Sequence, residues 1–346
     1  MAKVTLIQVV YNSRRFMEPV FSAMLGQTYR DTETVAVISG NDDHGKEFLM
    51  KKFPQVKIID PGYNIGFAKG HNLVFSNSNS EFFQLVNPDL VMKPDYVEKM
   101  LEAFRDPKVG AATGKLLRCG FTNVGNGLEP LPTRVIDSTG VVINKSGSAR
   151  DRGQHEVDNG QYDKLTDVQA VCAAGAMYRR TALEAVKIAK VQGAGFRAQE
   201  LQATSYHLPA DFEYFDEDFH SYWEDVDLAW RMTNAGYKCA YQPQAVAFHG
   251  RGAGSSEGGY KKVFSYIKYH SQLSPRVREL NYRNHIFMYV KNSRRFYPQF
   301  FFRELAMFAY ICLFERSTLK VVPQIIRLLP KMWQKRKIIK RERTRS

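Results

Sequence analysis

The sequence predicts an α/β fold: a mostly parallel central sheet covered by helices, followed by a basic, helical C-terminal region. Strand and helix signals alternate through the first hundred residues. Polar motifs follow directly on strand-like runs, where a parallel sheet presents its ligand-binding edge. The chain also has 346 residues, enough for one large domain with an appendage or two modest domains.

The elements follow in order. VTLIQVV (4–10) reads as a strand, 16–28 as a helix, TVAVIS (34–39) as a strand and 44–53 as a helix. VKIID (56–60) is the third strand, 66–77 a helix and FFQLVN (82–87) the fourth strand. Residues 110–170 are rich in Gly, Asn and Asp and read as short strands and loops. A second compact block runs over about 168–250, with 183–214 as a helix followed by a loop. Beyond 260 the chain turns aromatic and basic, which sets the expected boundary between domains 1–260 and 261–346.

The composition is ordinary for a globular protein, 44% hydrophobic and 24% charged, but the net charge of +14 is uneven. Residues 261–346 hold 21 basic against 4 acidic side chains, and residues 1–260 hold 28 against 31. A basic tail attracts nucleic acid or an anionic membrane surface. No nucleic-acid motif accompanies it, so no nucleic-acid partner is expected. Cys119, Cys172, Cys239 and Cys312 lie far apart with no CxxC pair, which fits reduced thiols in a cytosolic setting. VTLIQVV is too short for a signal peptide and soon meets Arg14 and Arg15. LAMFAYICLF (305–314) is too short to cross a bilayer.

Five motifs carry the functional expectations. Asn87-Pro88-Asp89 ends the fourth strand and delivers a carboxylate to the sheet edge, stiffened by Pro88. One carboxylate and one amide oxygen suit a hard divalent cation bound to phosphate, although Asn-Pro-Asp is also common turn chemistry. Asn64-Ile-Gly-Phe-Ala-Lys-Gly-His-Asn72 places Gly66 and Gly70 where backbone approaches a ligand and a helix start offers N–H groups, or it is an ordinary strand–helix link. Gly175 and Ala176 open room for a sugar-sized ligand or for tight strand packing. His249 ends YQPQAVAFH, as a structural histidine or as a ligand for an ion such as Mn²⁺; Gly250, Gly252 and Gly254 after it suit a closing loop.

SYWEDVDLAWR (221–231) crowds Glu224, Asp225 and Asp227 between Trp223 and Trp230. Acids in the first turn of a helix complement its dipole. The aromatic company asks for more: a carboxylate walled by Trp223 has its pKa pushed up, which suits a general base near neutral pH.

In this order the motifs resemble family-2 glycosyltransferases of the GT-A fold, especially their bacterial rhamnosyltransferase-like branch. VTLIQVVYNS, QTYRDTETVAVIS, NIGFAKGHN, LVNPDL, AAGAMYRR and FDEDFHSYWEDVDLAWRMTNAGYKCAYQPQAVAFHG carry the likeness over roughly residues 3–255. The resemblance implies a Rossmann-like sheet with helices on both faces and an inverting transfer from a nucleotide-diphosphate sugar. It implies Asp225 as base, and Glu224 with Trp223 toward the acceptor. It implies Asp89 and His249 around Mn²⁺ or Mg²⁺, with Asn87 beside them. Val10, Tyr11 and Asn12 would line the nucleotide pocket, and Ser39, Asp43, Asn64, Gly66, Phe67, Lys69, Asn72, Gly175 and Ala176 the rest of the donor site. The second strand departs from the family's usual Asp-Asn-x-Ser, reading Ile38-Ser39-Gly40-Asn41. Residues 187–213 are longer than the usual link. The acceptor implied is a glycan or polyprenyl-linked sugar in surface-polysaccharide or cell-wall assembly. Residues 296–346 would rest on anionic lipid at the inner face of the cytoplasmic membrane. A non-catalytic sugar-nucleotide-binding protein of the same fold is the alternative.

Overall fold

The computed structural model describes residues 3–40, 44–124, 127–164, 166–191, 206–251, 267 and 270–343. The chain opens with β1 (Val4–Val10), α1 (Arg14–Leu25), β2 (Thr32–Ile38), α2 (Gly45–Lys52), β3 (Lys57–Ile59), α3 (Phe67–Asn77) and β4 (Phe82–Leu85). Every residue of β1 is buried, as a central strand with helices on both faces requires. Its side chains part by parity: Val4, Leu6 and Val10 join one core and Ile7 and Val9 the other. β1 pairs in parallel with β2 and β4, and β2 with β3. The alternating pattern expected for this half is what folds, with boundaries moved by a few residues.

The second half completes the sheet. It contains β5 (Leu90–Met92), α4 (Tyr96–Ala103), β6 (Val109–Val124), β7 (Gly127–Ser138), β8 (Val141–Ile143), β9 (Ala149–Asp151), β10 (Asp167–Val168), β11 (Ala176–Arg179), α5 (Arg180–Val186), β12 (Ile188–Ala189), β13 (Phe212–Glu213), α6 (Glu224–Asn234) and β14 (Lys238–His249). The main path runs β10-β14-β6-β11-β4-β1-β2-β3, with β5 on β14 and β7 on β6. β11 lies antiparallel between β4 and β6, and β14 runs parallel to β6.

Three expectations change. Residues 110–170 are not all short strands: β6 spans 16 residues and β7 spans 12, forming a long antiparallel pair. Glycine and asparagine lowered the strand signal there, but cross-strand pairing decides. The block 168–250 is no separate unit, because β10, β11 and β14 belong to the one sheet. Within 183–214 the helix ends at Val186, and β12 pairs with β13 across residues 192–205, which lie outside the described set.

Two cores sandwich the sheet. One, under α1, α2 and α4, includes Met17, Phe21, Leu49, Val97 and Met100. The other lies under α3, α5 and α6 and takes in two C-terminal helices, α7 (Pro275–Asn292) and α9 (Val322–Arg343), through Phe287, Met288, Ile325, Leu328 and Met332. Between them come α8 (Pro298–Phe314) and a 3₁₀ turn, Arg316–Val321. So α7 and α9 share a core with residues assigned to the first domain.

Charge reinforces that union. Lys335 Nζ lies 2.6 Å from Glu213, 2.5 Å from Asp216 and 2.8 Å from Asp218, and it is buried. Lys291 pairs with Asp216 and, at 2.8 Å, with Asp227. Part of the basic run at 331–346 is therefore turned inward. Removing one partner of such a buried network leaves uncompensated charge and costs about 3–5 kcal/mol. Lys335→Met is expected to lower unfolding stability by about that much in urea denaturation. Lys340→Met, on an exposed position of the same helix, leaves the midpoint unchanged.

Candidate active site

The segment Cys172–Ala174 stands between the two acidic spots. Asn87 N–H donates to the Ala174 carbonyl at 2.8 Å, and Ala173 N–H donates to Asp225 Oδ2 at 3.2 Å. The turn that bears Asp89 and the helix start that bears Asp225 thus flank the same three residues.

On the β4 side, the Asn87-Pro88-Asp89 turn leads into β5, whose Leu90 pairs with His249 of β14. Gly250 N–H donates to the Asp89 carbonyl at 2.9 Å, and His249 Nε2 lies 3.2 Å from Asp89 Oδ1. Asn87 Nδ2 is 3.5 Å from the same nitrogen. The other ring nitrogen, Nδ1, is 2.8 Å from Asp137 Oδ2. Arg251 bridges Asp137 and Asp151 at 2.7 Å each. Burial pulls the His249 pKa down, but the hydrogen bonds to Asp137 and Asp89 outweigh it and raise it to about 9. Burial raises Asp137, but the His249 hydrogen bond and the Arg251 charge overcome that and bring it to about 2.

One carboxylate and one imidazole converge here, and the imidazole's second nitrogen is fixed by a buried carboxylate. That donor set fits a divalent cation drawing its other ligands from phosphate and water. Among the described residues there is no preformed cluster of three or more such groups. Beside Asp89 and Gly250 a cleft of about 620 Å³ opens between Arg14–Phe16 at the start of α1 and Phe121 and Leu128 of the β6–β7 pair.

On the other side, Glu224 and Asp225 begin α6. The turn before them is strained: His220, Tyr222 and Trp223 have φ of 66°, 71° and 73° without being glycine. Three side chains of α7 hold it. Asn284 Nδ2 donates to the carbonyls of Phe219, Ser221 and Tyr222 at 3.0, 2.9 and 2.9 Å. Arg283 reaches the carbonyls of Asp218 and Phe219, and Trp223 Nε1 donates to Asn281 Oδ1 at 3.1 Å.

Asp225 keeps a partly exposed edge in an enclosed setting. Burial raises its pKa to about 6, against the N–H groups of Ala173 and Val226 that stabilise its charge. Glu224 is raised well above the carboxylate range, by burial first and the Asp225 charge second. Its Oε2 is buried with no hydrogen-bond partner among the described residues.

The expected donor residues fall into two groups. Ser39 Oγ donates to Asn64 Oδ1 at 3.0 Å, and Gly66 N–H reaches both, at 3.2 and 3.1 Å, so these three form one corner beyond β2. Tyr11 is exposed beside Gly40, and Asn12 is left-handed at φ 44°. Val10 is core, and Lys69 is partly exposed on the first turn of α3. Asp43 lies outside the described residues, as do Gly252 and Gly254.

The second group is committed to packing. Asn72 is buried, its carboxamide bracketing the Phe215 backbone with two 2.8 Å hydrogen bonds. Phe67 packs its ring 4.1 Å from His71 and 5.9 Å from Phe215. A Cβ on Gly175 would meet Tyr96 Oη at 2.9 Å, and Ala176 is sealed in β11. Gly66, of the first group, is also closely packed: a Cβ there would lie 2.4 Å from the His220 ring.

Sequence reasoning missed Asp137, Asp151 and Arg251, and the α7 clamp of Asn281, Arg283 and Asn284. An acid closing the strand-like VID (135–137), and the polar NYRN run (281–284) ahead of the apolar HIFMYV, are the signals that mark them.

The two acidic spots lie together at one edge of the α/β sheet, the edge at which folds of this class bind ligands. The chain belongs to Glycosyl transferase family 2, whose family model matches residues 5–187. Its α/β fold is of the GT-A type expected. It is 21% identical over 256 residues to an N-acetylglucosaminyl-diphospho-decaprenol L-rhamnosyltransferase of Mycobacterium tuberculosis, covering 70% of this chain and 75% of that one. It is 28% identical over 102 residues to an uncharacterized glycosyltransferase of Haemophilus influenzae and 27% over 195 residues to an N-acetylglucosaminyltransferase of Sinorhizobium fredii. Those matches cover 28% and 56% of this chain, but 31% and 38% of the relatives. Among solved structures, a mannosyltransferase from Pyrobaculum calidifontis in complex with GDP-Man and Mn²⁺ aligns with a TM-score of 0.48 at 14% identity, over 98% of this chain and 85% of that one.

Asn284→Ala strips one donor from three carbonyls of the strained turn. It is expected to cost about 1–3 kcal/mol of unfolding stability and to alter the near-ultraviolet dichroism of Trp223. Unchanged values for both would show that the turn holds itself.

Proposed function

We propose that the chain is an inverting glycosyltransferase moving a hexosyl group from a nucleoside-diphosphate sugar to a hydroxyl of a glycan or polyprenyl-linked acceptor. The donor class is a dTDP-rhamnose or UDP-sugar type, and the role is surface-polysaccharide or cell-wall assembly. The single observation that carries this reading is Asp225. It is a carboxylate with its pKa raised to about 6, beside a segment shared with the Asp89–His249 pair. The rhamnosyltransferase and N-acetylglucosaminyltransferase relatives support the substrate classes.

In this mechanism Tyr11, Asn12, Ser39, Asn64 and Gly66 seat the nucleoside, and Asp89, Asn87 and His249 face the diphosphate. A divalent cation held by Asp89 and His249 supplies charge stabilisation at the leaving phosphate when bound. Asp225 accepts the proton of the acceptor hydroxyl as its oxygen attacks the anomeric carbon. The bond from that carbon to the phosphate oxygen breaks, and the nucleoside diphosphate leaves with the electron pair. Glu224, whose pKa burial raises, stands beside Asp225 at the start of α6, toward the acceptor. A lipid-linked acceptor puts the reaction at the cytoplasmic face of a membrane.

Asp225→Asn is expected to lower kcat by about 10²–10⁴-fold while donor still binds. Full turnover of that variant in a sugar-transfer assay refutes the assignment. The base works when deprotonated, so kcat falls as pH drops through about 6 and is level above it. A pH–rate profile flat from 5 to 8 removes Asp225 from that role. Asp89→Ala is expected to weaken Mn²⁺-dependent nucleotide binding at least about tenfold in calorimetry. Screening nucleotide sugars with and without Mn²⁺ identifies the donor.

A further inference from the structure

The mechanism uses α6, β14 and the β4 turn, and the core absorbs α7 and α9. It leaves α8 without a task. Of its seventeen residues only Phe300 and Ile311 are buried. Phe301, Phe302, Leu305, Leu313 and Phe314 are exposed, Phe302 by 71% and Leu305 by 70%. A continuous apolar face of this kind is unfavourable in water and marks a surface that something covers.

We propose that the cover is an anionic lipid bilayer, with α8 lying in the interface and the outer face of α9 supplying the charge. This placement deepens the expectation of a membrane-associated C-terminal region, and it rests on the glycosyltransferase reading only for the nature of the acceptor. Three observations select the occupant. No helix among the described residues is long and apolar enough to cross a membrane, so α8 lies on the surface rather than spanning it. The basic groups of α9 are sorted: Lys331, Lys335 and Arg336 turn inward to Asp218, Glu213, Asp216 and the Val290 carbonyl. Arg327, Lys337, Lys340 and Arg341 stay exposed on the same side as Ile326 and Trp333. Phe296 joins the two faces, its ring 5.5 Å from Trp333 and 6.3 Å from Phe301. Aromatic groups beside cationic ones complement an anionic headgroup layer. A second copy of the chain seated on this patch would instead bring two cationic faces together.

The patch also connects to the acids. Phe300 stacks on Tyr289 at 3.9 Å and on His285 at 6.0 Å, and His285 meets the Trp223 ring edge-on at 5.0 Å. Arg303 and Glu304 of α8 lie 2.9 and 3.1 Å from His285 Nδ1. The docking helix is thus one ring away from the residue that precedes Glu224 and Asp225.

The test floats the full chain with vesicles of phosphatidylcholine alone or mixed with phosphatidylglycerol. The wild type is expected to float with the mixed vesicles and to dissociate at high salt. Phe302→Glu with Leu305→Glu lowers the partition coefficient at least about tenfold. Lys337→Glu and Lys340→Glu each lower it about fivefold and weaken the salt dependence. Leu131→Glu, at an exposed apolar position on β7, leaves it unchanged. Should the double variant misfold, Leu313→Glu at the other end of the helix carries the comparison. Wild type that stays with the soluble fraction, or α8 variants that float as it does, overturns the proposal. So does a lipid-free dimer in sedimentation that the α8 variants convert to monomer. Calorimetry with nucleotide sugar separates the two readings: flotation without donor binding defeats the transferase assignment and leaves the docking face standing.

Discussion

Asn284 holds the structure's most demanding backbone in place. Three aromatic or imidazole-bearing residues in a left-handed conformation just ahead of Glu224 store strain that local sequence cannot relieve. One side-chain amide on α7 donates to three carbonyls of that turn, with Asn281 and Arg283 of the same helix beside it. The orientation of α6, and with it the aim of Asp225, follows from this clamp. A C-terminal helix distant in sequence is therefore as much a part of the acid site as the motif that bears the acids.

The lattice of Lys291 and Lys335 against Glu213, Asp216, Asp218 and Asp227 serves the same end from below. Each lysine is buried with partners on the segment that leads into the turn. Replaced by apolar groups of matching shape, such a network need not lose stability. Its consequence is specificity of arrangement: one register of α7 and α9 satisfies the acids of 213–227. On the opposite side, the line from Asp89 through His249, Asp137 and Arg251 to Asp151 plays a comparable part, fixing which nitrogen of His249 faces the cleft.

Much of this was legible in the chain. The parallel half of the sheet was readable because β1, β2 and β4 are apolar runs set between amphipathic helices, a pattern with few other meanings. The β6–β7 pair was not, because its outer half is exposed and mixed in polarity, so neither period stands out. Asp89, Asp225 and His249 could be singled out from where they fall against strand ends and a helix start. Asp137 and Asn284 could not be placed, since their roles depend on partners more than sixty residues away in sequence. Asn72 and Gly175 show how small or polar residues near a ligand edge invite a binding role while tertiary neighbours also account for their identity.

The contact between Gly66 and His220 has a mechanical corollary. The imidazole occupies the volume a side chain at 66 would need, and Ala68 N–H donates to the His220 carbonyl at 3.2 Å. The loop beyond β3 and the strained turn before α6 are therefore geared: neither shifts without displacing its mate. Any displacement of the Ser39–Asn64–Gly66 corner would be felt at the acid helix through direct contact rather than through the solvent.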